Sequence, residues 1–203
     1  MGGDTFDFSL ARDTLHLSIT DAVGNDVNAA QLATVLVGSL RNGRRHGLDL
    51  LAQAGTANDA LSAHSPVGEF VTGQVARVDL HSGVVSLVNA GHPFPLRLRD
   101  GAVEEIELDI DLPFGLEPGR AFRAQEIALQ PADRIVFLTD GMLERNLTRA
   151  DVEAVLLRTA HLHPREVVVA LGDEALHATG GGLRDDATVL CLDWRGGPPQ
   201  RRG

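Results

Sequence analysis

The sequence predicts an α+β fold, on two observations. Short segments with strand periodicity are joined by turn residues into a hairpin and an antiparallel meander, and two separate pairs of segments carry apolar residues at helical spacing. With 203 residues the chain is long enough for one sizeable core. One domain is expected over 1–195, followed by a disordered Gly-Pro-Arg tail over 196–203.

The chain opens on Met-Gly-Gly-Asp and runs at once into Phe6, Phe8 and Leu10, which alternate with Asp7 and Ser9 as in a strand. Arg12-Asp13 suits a tight turn into a second strand. There Leu15, Leu17 and Ile19 alternate with His16, Ser18 and Thr20, and the strand ends in Asp21. Antiparallel pairing puts the start of one strand beside the end of the next, so this hairpin brings Asp4 and Asp21 to one end of a sheet. Gly2 and Gly3 allow a close backbone approach there. After the turn Ala22-Val23-Gly24-Asn25, Asp26 is a natural helix N-cap. Ala29, Ala30, Leu32, Ala33, Leu36, Val37 and Leu40 then recur at threes and fours along a helix that reaches about Gly43. Arg41, Arg44 and Arg45 suit the negative end of its dipole. A second helix follows Gly47, with Leu48, Leu51, Ala52, Ala60 and Leu61 as its expected apolar face.

Residues 69–108 change to strand period. Strands are expected at Phe70 to Leu80, Val84 to Asn89, Phe94 to Leu98 and Ala102 to Leu108, with a bend at Ala90-Gly91-His92-Pro93. Leu112 to Gly119 reads as loop, and Ala121 to Leu129 and Arg134 to Thr139 as two more strands. Ile135, Val136, Phe137 and Leu138 form a continuous apolar run, which predicts a strand buried on both faces that ends in Thr139-Asp140-Gly141. Helical patterns follow at Arg149 to Thr159 and Pro164 to His177. A flexible Gly180-Gly181-Gly182 and the stretch Leu183-Arg184-Asp185-Asp186 then lead into a last strand, Ala187 to Trp194.

Composition excludes several classes of partner. A net charge of −10, from 18 basic and 28 acidic side chains, repels phosphate backbones and anionic membranes, so neither nucleic acid nor a membrane is an expected partner. Cys191 is the only cysteine and sits in an apolar strand pattern, so it is expected to be an inert core thiol in a reducing compartment. No apolar run approaches the roughly 20 residues needed to span a bilayer, and no signal peptide opens the chain. A cytoplasmic location is therefore expected.

Four acidic residues share one description: Asp4, Asp21, Asp140 and Asp185 each lie at an expected strand terminus. Converging carboxylates raise one another's pKa, and divalent cations remove that cost. Oxygen ligands without a Cys or His cluster point to Mg²⁺ or Mn²⁺ rather than zinc. Two such ions roughly 3.5–4 Å apart can hold a water, lower its pKa and aim it at phosphorus. Sequence spacing alone does not prove that the four converge.

The ordered series GGDTFDF, DAVGNDVNAA, FVTGQVARVD, NAGHPFPL, LPFGL, PADRIVFLTDGMLE and LRDDATVLCL resembles the SpoIIE/RsbU-type branch of the bacterial metal-dependent Ser/Thr protein phosphatases, the PPM or type 2C-like family. The resemblance covers residues 2 to about 194. It implies a sandwich of two antiparallel β-sheets with antiparallel helices on the outside. It makes Asp21 the carboxylate bridging two Mn²⁺ or Mg²⁺ ions, a third being allowed. The Ala22 backbone carbonyl would ligate one ion, Asp140 and Asp185 the other, and Asp4 would stand at the edge of the site. Asp186 is read as orienting its neighbours, and Asn89 and His92 as shaping a bend.

The chain also departs from the pattern. Gly24-Asn25-Asp26 stands where many relatives have Gly-His-Gly, so protonation of the leaving alkoxide would fall to metal-bound water. Relatives have a strand before GGD where this chain has only Met1, so the domain reads as clipped, with a loosely held Asp4. Sensor domains that often precede this domain in relatives are missing too, so an upstream sensor or partner outside this chain is expected. The expected function is a phosphoserine/phosphothreonine protein phosphatase. By resemblance, it would act on a small anti-sigma-factor antagonist in a partner-switching pathway that controls sigma-factor release. The alternative is a weak or inactive phosphatase-like domain that works by binding a partner. By the same resemblance the two helices at about 26–46 and 48–64 carry regulation, and the clipped start biases the chain toward a low-activity state.

Overall fold

The structure is a computed structural model and describes residues 2–24, 27–65, 68–143, 147–180 and 186–197. The sequence expectations at Asn25, Asp26 and Asp185, and for most of the tail, fall outside these residues. Hydrophobic period and turn chemistry build the elements in order. β1 (Asp4–Ala11) and β2 (Thr14–Ala22) form the expected hairpin around Arg12, whose φ of 52 suits a tight turn. Two helices follow, α1 (Val27–Arg45) and α2 (Leu50–Ser62), then β3 (Val71–Asp79) and β4 (Val84–Ala90). Next come β5 (Leu96–Arg99), β6 (Ala102–Glu105), β7 (Gln125–Ala128) and β8 (Arg134–Leu138). A 3₁₀ turn at Asp140–Leu143 precedes α3 (Arg149–Arg158), α4 (Pro164–Ala178) and β9 (Val189–Asp193).

The strands form two antiparallel sheets, β1-β2-β3-β4-β7 and β6-β5-β8-β9. Three apolar layers hold four layers of structure together. Leu32, Leu36, Leu40, Ala54 and Leu61 of the first helix pair pack on Val71, Val75 and Val88 of the first sheet. Leu17, Ile19, Val78, Val85 and Leu87 meet Ile135, Phe137 and Trp194 between the sheets. Val136 and Leu138 meet Val152, Leu156, Val167 and Leu171 of the second helix pair. The short connections within each helix pair make its members antiparallel neighbours. The architecture is the expected α-β-β-α sandwich of the α+β class, and β8 is buried at every residue.

Three local expectations fail for physical reasons. The stretch after β4 does not continue as one meander: β4 pairs with β7, while β5 and β6 join the second sheet. The crossing is made at the bend after Asn89. The Asn89 side chain clamps its own turn, accepting from the His92 N–H at 2.9 Å and donating to the His92 carbonyl at 3.1 Å. Gly91 takes a φ of 68 there, with Pro113 packed against it. In α2 the buried face is Leu50, Gln53, Ala54, Ala57, Asn58 and Leu61, while Leu48 and Leu51 are exposed. Asp49 sets this register as N-cap, accepting from the Ala52 N–H at 2.8 Å. The polar members of that face are satisfied. Gln53 donates to the Leu48 carbonyl at 2.7 Å, and Asn58 bridges the Gly115 N–H and the Glu117 carbonyl. On β1 the burial is reversed, since Phe6, Phe8 and Leu10 are exposed and Asp7 is buried. β1 is an edge strand of the five-stranded sheet, and Asp7 turns toward α1, where Arg41 and Arg44 bind its two carboxylate oxygens.

Candidate metal centre

Strand register assembles the site. Asp4 is the Cα partner of Asp21 across β1 and β2, and Asp21 is the partner of Thr72 across β2 and β3. With a side-chain period of two, Asp4 and Asp21 lie on the same face as Phe6 and Ile19, and Ile19 belongs to the layer between the sheets. Both carboxylates therefore stand at the rim of the sandwich. β8 of the opposite sheet ends at the same rim and delivers Thr139 and Asp140. The Thr139 hydroxyl donates to an Asp4 oxygen at 2.7 Å and accepts from the Thr188 N–H at 2.9 Å. This link ties the first strand of one sheet to the last two of the other.

Three glycines let the backbones meet here. A Cβ on Gly3 would stand 2.4 Å from the Ala22 carbonyl oxygen, and the Ala22 N–H donates to the Gly3 carbonyl at 3.2 Å. A Cβ on Gly141 would stand 1.9 Å from the Asp186 carbonyl oxygen, and one on Gly2 would overlap the Asp186 carboxylate. The glycines that flank the expected ligands are thus steric requirements of the site.

Electrostatics mark Asp21 as the centre of the cluster. Burial, the Asp4 charge and the Asp140 charge, in that order, push its carboxyl from 3.8 up to about 8, and it is within hydrogen-bonding reach of both neighbours. Burial also raises Asp4, against hydrogen bonds from Thr139 and Thr188 that favour its ionised form, and Asp186 adds a further raising charge. A carboxyl forced toward its protonated form by burial and by two other carboxylates is a group whose ionised state lacks a cation. The donor set of carboxylates plus the Ala22 carbonyl suits a hard divalent ion, so the residues fit Mn²⁺ or Mg²⁺. Among the described residues no three His, Cys, Asp or Glu side chains close around one point as a finished cage. Asp4, Asp21 and Asp140 are neighbours rather than a completed coordination shell, and the other expected ligand, Asp185, lies outside the described residues.

The bend motif reaches the site as well. His92 is 2 % exposed, and burial pushes its imidazole down to about 4, so it is neutral at physiological pH. Its Nδ1 lies 3.0 Å from the Thr72 hydroxyl, which also donates to the Asp21 carbonyl at 3.4 Å. Shaping the bend is therefore joined to bracing the backbone of Asp21. Sequence reasoning passed over Thr72, Thr139 and Thr188. Their signal in the sequence is a threonine in each of the fragments FVTG, LTDG and DDAT.

Comparison with known proteins shows the family and the fold. The family described as Stage II sporulation protein E (SpoIIE) matches residues 11–195. The phosphoserine phosphatase RsbU of Bacillus subtilis (strain 168) is 21% identical over 207 residues, covering 95% of this chain and 59% of RsbU. The chain thus spans somewhat over half the length of that relative. The structure of the RsbU and RsbW domains of Rv1364c from Mycobacterium tuberculosis superposes with a TM-score of 0.85 at 28% identity, covering 98% of this chain and 57% of that one. The catalytic domain of the serine/threonine protein phosphatase PstP, in complex with 2 manganese ions, shares the fold at a TM-score of 0.66 and 19% identity, over 95% of this chain and 91% of that one. Among the described residues no helix is long and apolar enough to cross a membrane.

Proposed function

Because the chain belongs to the SpoIIE family, whose match spans residues 11–195, we propose that it is a metal-dependent phosphoserine/phosphothreonine protein phosphatase. One observation carries the reading: Asp21 is pushed up to about 8 between Asp4 and Asp140 at the rim where the two sheets meet. Asp21 would be shared between two Mn²⁺ or Mg²⁺ ions, with the Ala22 carbonyl on one and Asp140 and Asp185 on the other. Bound there, the ions would supply charge compensation and an activated water for attack on phosphorus. The chain's own contribution is positioning. Thr139 donates to Asp4 and fixes its place at the site, Thr72 fixes the Asp21 backbone, and Gly3 admits the Ala22 carbonyl to the same edge. By the resemblance to RsbU and the RsbU–RsbW protein, the inferred substrate is a small anti-sigma-factor antagonist phosphorylated on serine or threonine.

The test is hydrolysis of a phosphoserine peptide with and without Mn²⁺, alongside calorimetric titration of the metal. Turnover that requires Mn²⁺ or Mg²⁺ is expected. Full turnover in excess chelator refutes the metal assignment, and stoichiometric metal binding without turnover on any phosphopeptide supports the binding-module alternative instead.

A further inference from the structure

At the other end of β1 and β2, away from the carboxylates, the sheet face toward α1 carries the opposite charge. Asp7, Ser9, His16, Arg41, Arg44 and Arg45 line a cleft of about 480 Å³, a size typical of small-molecule sites. Asp7 is held by Arg41 at 2.7 Å and by Arg44, so one carboxylate answers two guanidinium groups. Arg45 at the exposed end of α1 has no ion pair among the described residues. Arg77 is the Cα partner of His16 on β3, on the same sheet face, and its Nε is buried without a hydrogen-bond partner. The Ser18 hydroxyl, on that face as the Cα partner of Asp7, is buried without one too. Burial and then the charges of Arg77 and Arg44 depress His16. Three arginines against one aspartate in the lining leave a local excess of about two positive charges, with the Arg77 charge felt at His16 from the next strand, within a chain whose net charge is −10.

The buried Nε of Arg77 and the Ser18 hydroxyl beside the cleft are unpaired polar atoms, and such atoms favour a ligand that completes their hydrogen bonds. We propose that this cleft binds a small anion bearing phosphoryl groups, distinct from the phosphate that the carboxylate site would handle. Phosphoryl groups fit better than carboxylates because each carries close to two charges and several acceptor oxygens, and the planar guanidinium fork takes them in bidentate pairs. The local excess calls for a compact, multiply charged ligand, so the probe is pyrophosphate, with inorganic phosphate and citrate as comparators. This inference stands on residues that the phosphatase reading does not use.

The test is isothermal titration of the full metal-free chain, in which the carboxylate cluster repels anions. One pyrophosphate site is expected, with inorganic phosphate binding the same site more weakly. The combined variant Arg45→Ala/Arg77→Gln removes charge without breaking an ion pair and should weaken pyrophosphate at least tenfold. Arg120→Ala/Arg165→Ala, equal in charge but elsewhere on the surface, should leave it unchanged. The His16 ring resonances should shift on saturation in the wild-type chain. No binding, equal weakening by both double variants, citrate as tight as pyrophosphate, or an acidic peptide bound in place of pyrophosphate would each overturn the proposal.

Discussion

Replacing Asp21 by asparagine should make the metal-free protein more stable while removing its response to metal. The folded-state carboxyl titrates at about 8 against an ordinary value of 3.8. A carboxyl raised in the native state contributes stability that is fully present below about 4 and is lost progressively as pH rises from there through about 8. At pH 7 the accumulated cost on a fully desolvated group would be about 4 kcal/mol at about 1.4 kcal/mol per unit. Asp21 is only partly buried, and solvent screening discounts this to about 1–2 kcal/mol. In Asp21→Asn the amide keeps the shape of the carboxylate, and its N–H₂ can donate to both Asp4 and Asp140 while carrying no charge. For a domain of this size the gain corresponds to a rise in Tm of about 2–8 °C, read by calorimetry at pH 7 after metal removal. Wild-type protein should gain stability on addition of Mn²⁺ by mass action, and Asp21→Asn should gain little. A metal-free variant that melts at or below the wild type, with an undiminished response to Mn²⁺, would refute the view of Asp21 as a carboxylate lacking its cation.

Other consequences are open to the same methods. Asp21→Asn should cost more activity than Asp4→Asn, since one carboxylate is shared and the other stands at the edge; a larger loss at Asp4 in a phosphopeptide assay would reverse the assignment. Gly3→Ala should push the Ala22 carbonyl aside and cut turnover by about 10–100-fold with little change in far-UV circular dichroism. Thr139→Val removes the donor to Asp4 and leaves the Thr188 N–H without its acceptor, a loss of about 1–3 kcal/mol in denaturant unfolding. Cys191, whose thiol burial pushes up to about 12, should resist alkylation at neutral pH in the folded protein and react once unfolded.

Much of the site could be read from the sequence because it is built on strand ends. A period of two and one tight turn suffice to place Asp4 opposite Asp21, and the register is the one expected. The continuous apolar run of Ile135 to Leu138 likewise marks a buried strand that delivers Asp140. What escaped was tertiary. Phe6, Phe8 and Leu10 alternate as a buried face would, yet Asp7 is the buried residue, because Arg41 and Arg44 arrive from a helix more than thirty positions away. Gln53 and Asn58 occupy the core face of α2 because backbone groups satisfy them, the Leu48 carbonyl just before the helix for Gln53 and the distant Gly115–Glu117 loop for Asn58, which no helical period encodes. The division of β4 and β5 between two sheets turned on a four-residue bend whose clamp is formed by one asparagine. Convergence of Asp140 with Asp21 required both sheets, so resemblance to a family supplied it before geometry did.

The position of Asp4 on an edge strand has a thermodynamic consequence. Among the described residues β1 is hydrogen-bonded to one neighbouring strand, and Phe6, Phe8 and Leu10, on the face they share with Leu17 and Ile19, are exposed to water. Beyond the hairpin ladder, the Thr139 link and the Thr5–Thr20 hydroxyl contact at one end and the Asp7 ion pairs in the middle help to fasten it. Such a strand has its own opening equilibrium, at a lower free energy than global unfolding. Each opening takes Asp4 away from Asp21 and the Gly3 carbonyl away from the Ala22 N–H. The affinity measured for any ion at this rim is then the intrinsic affinity multiplied by the fraction of time that β1 is closed. Contacts that tighten or loosen β1, however far they lie from the carboxylates, set that fraction.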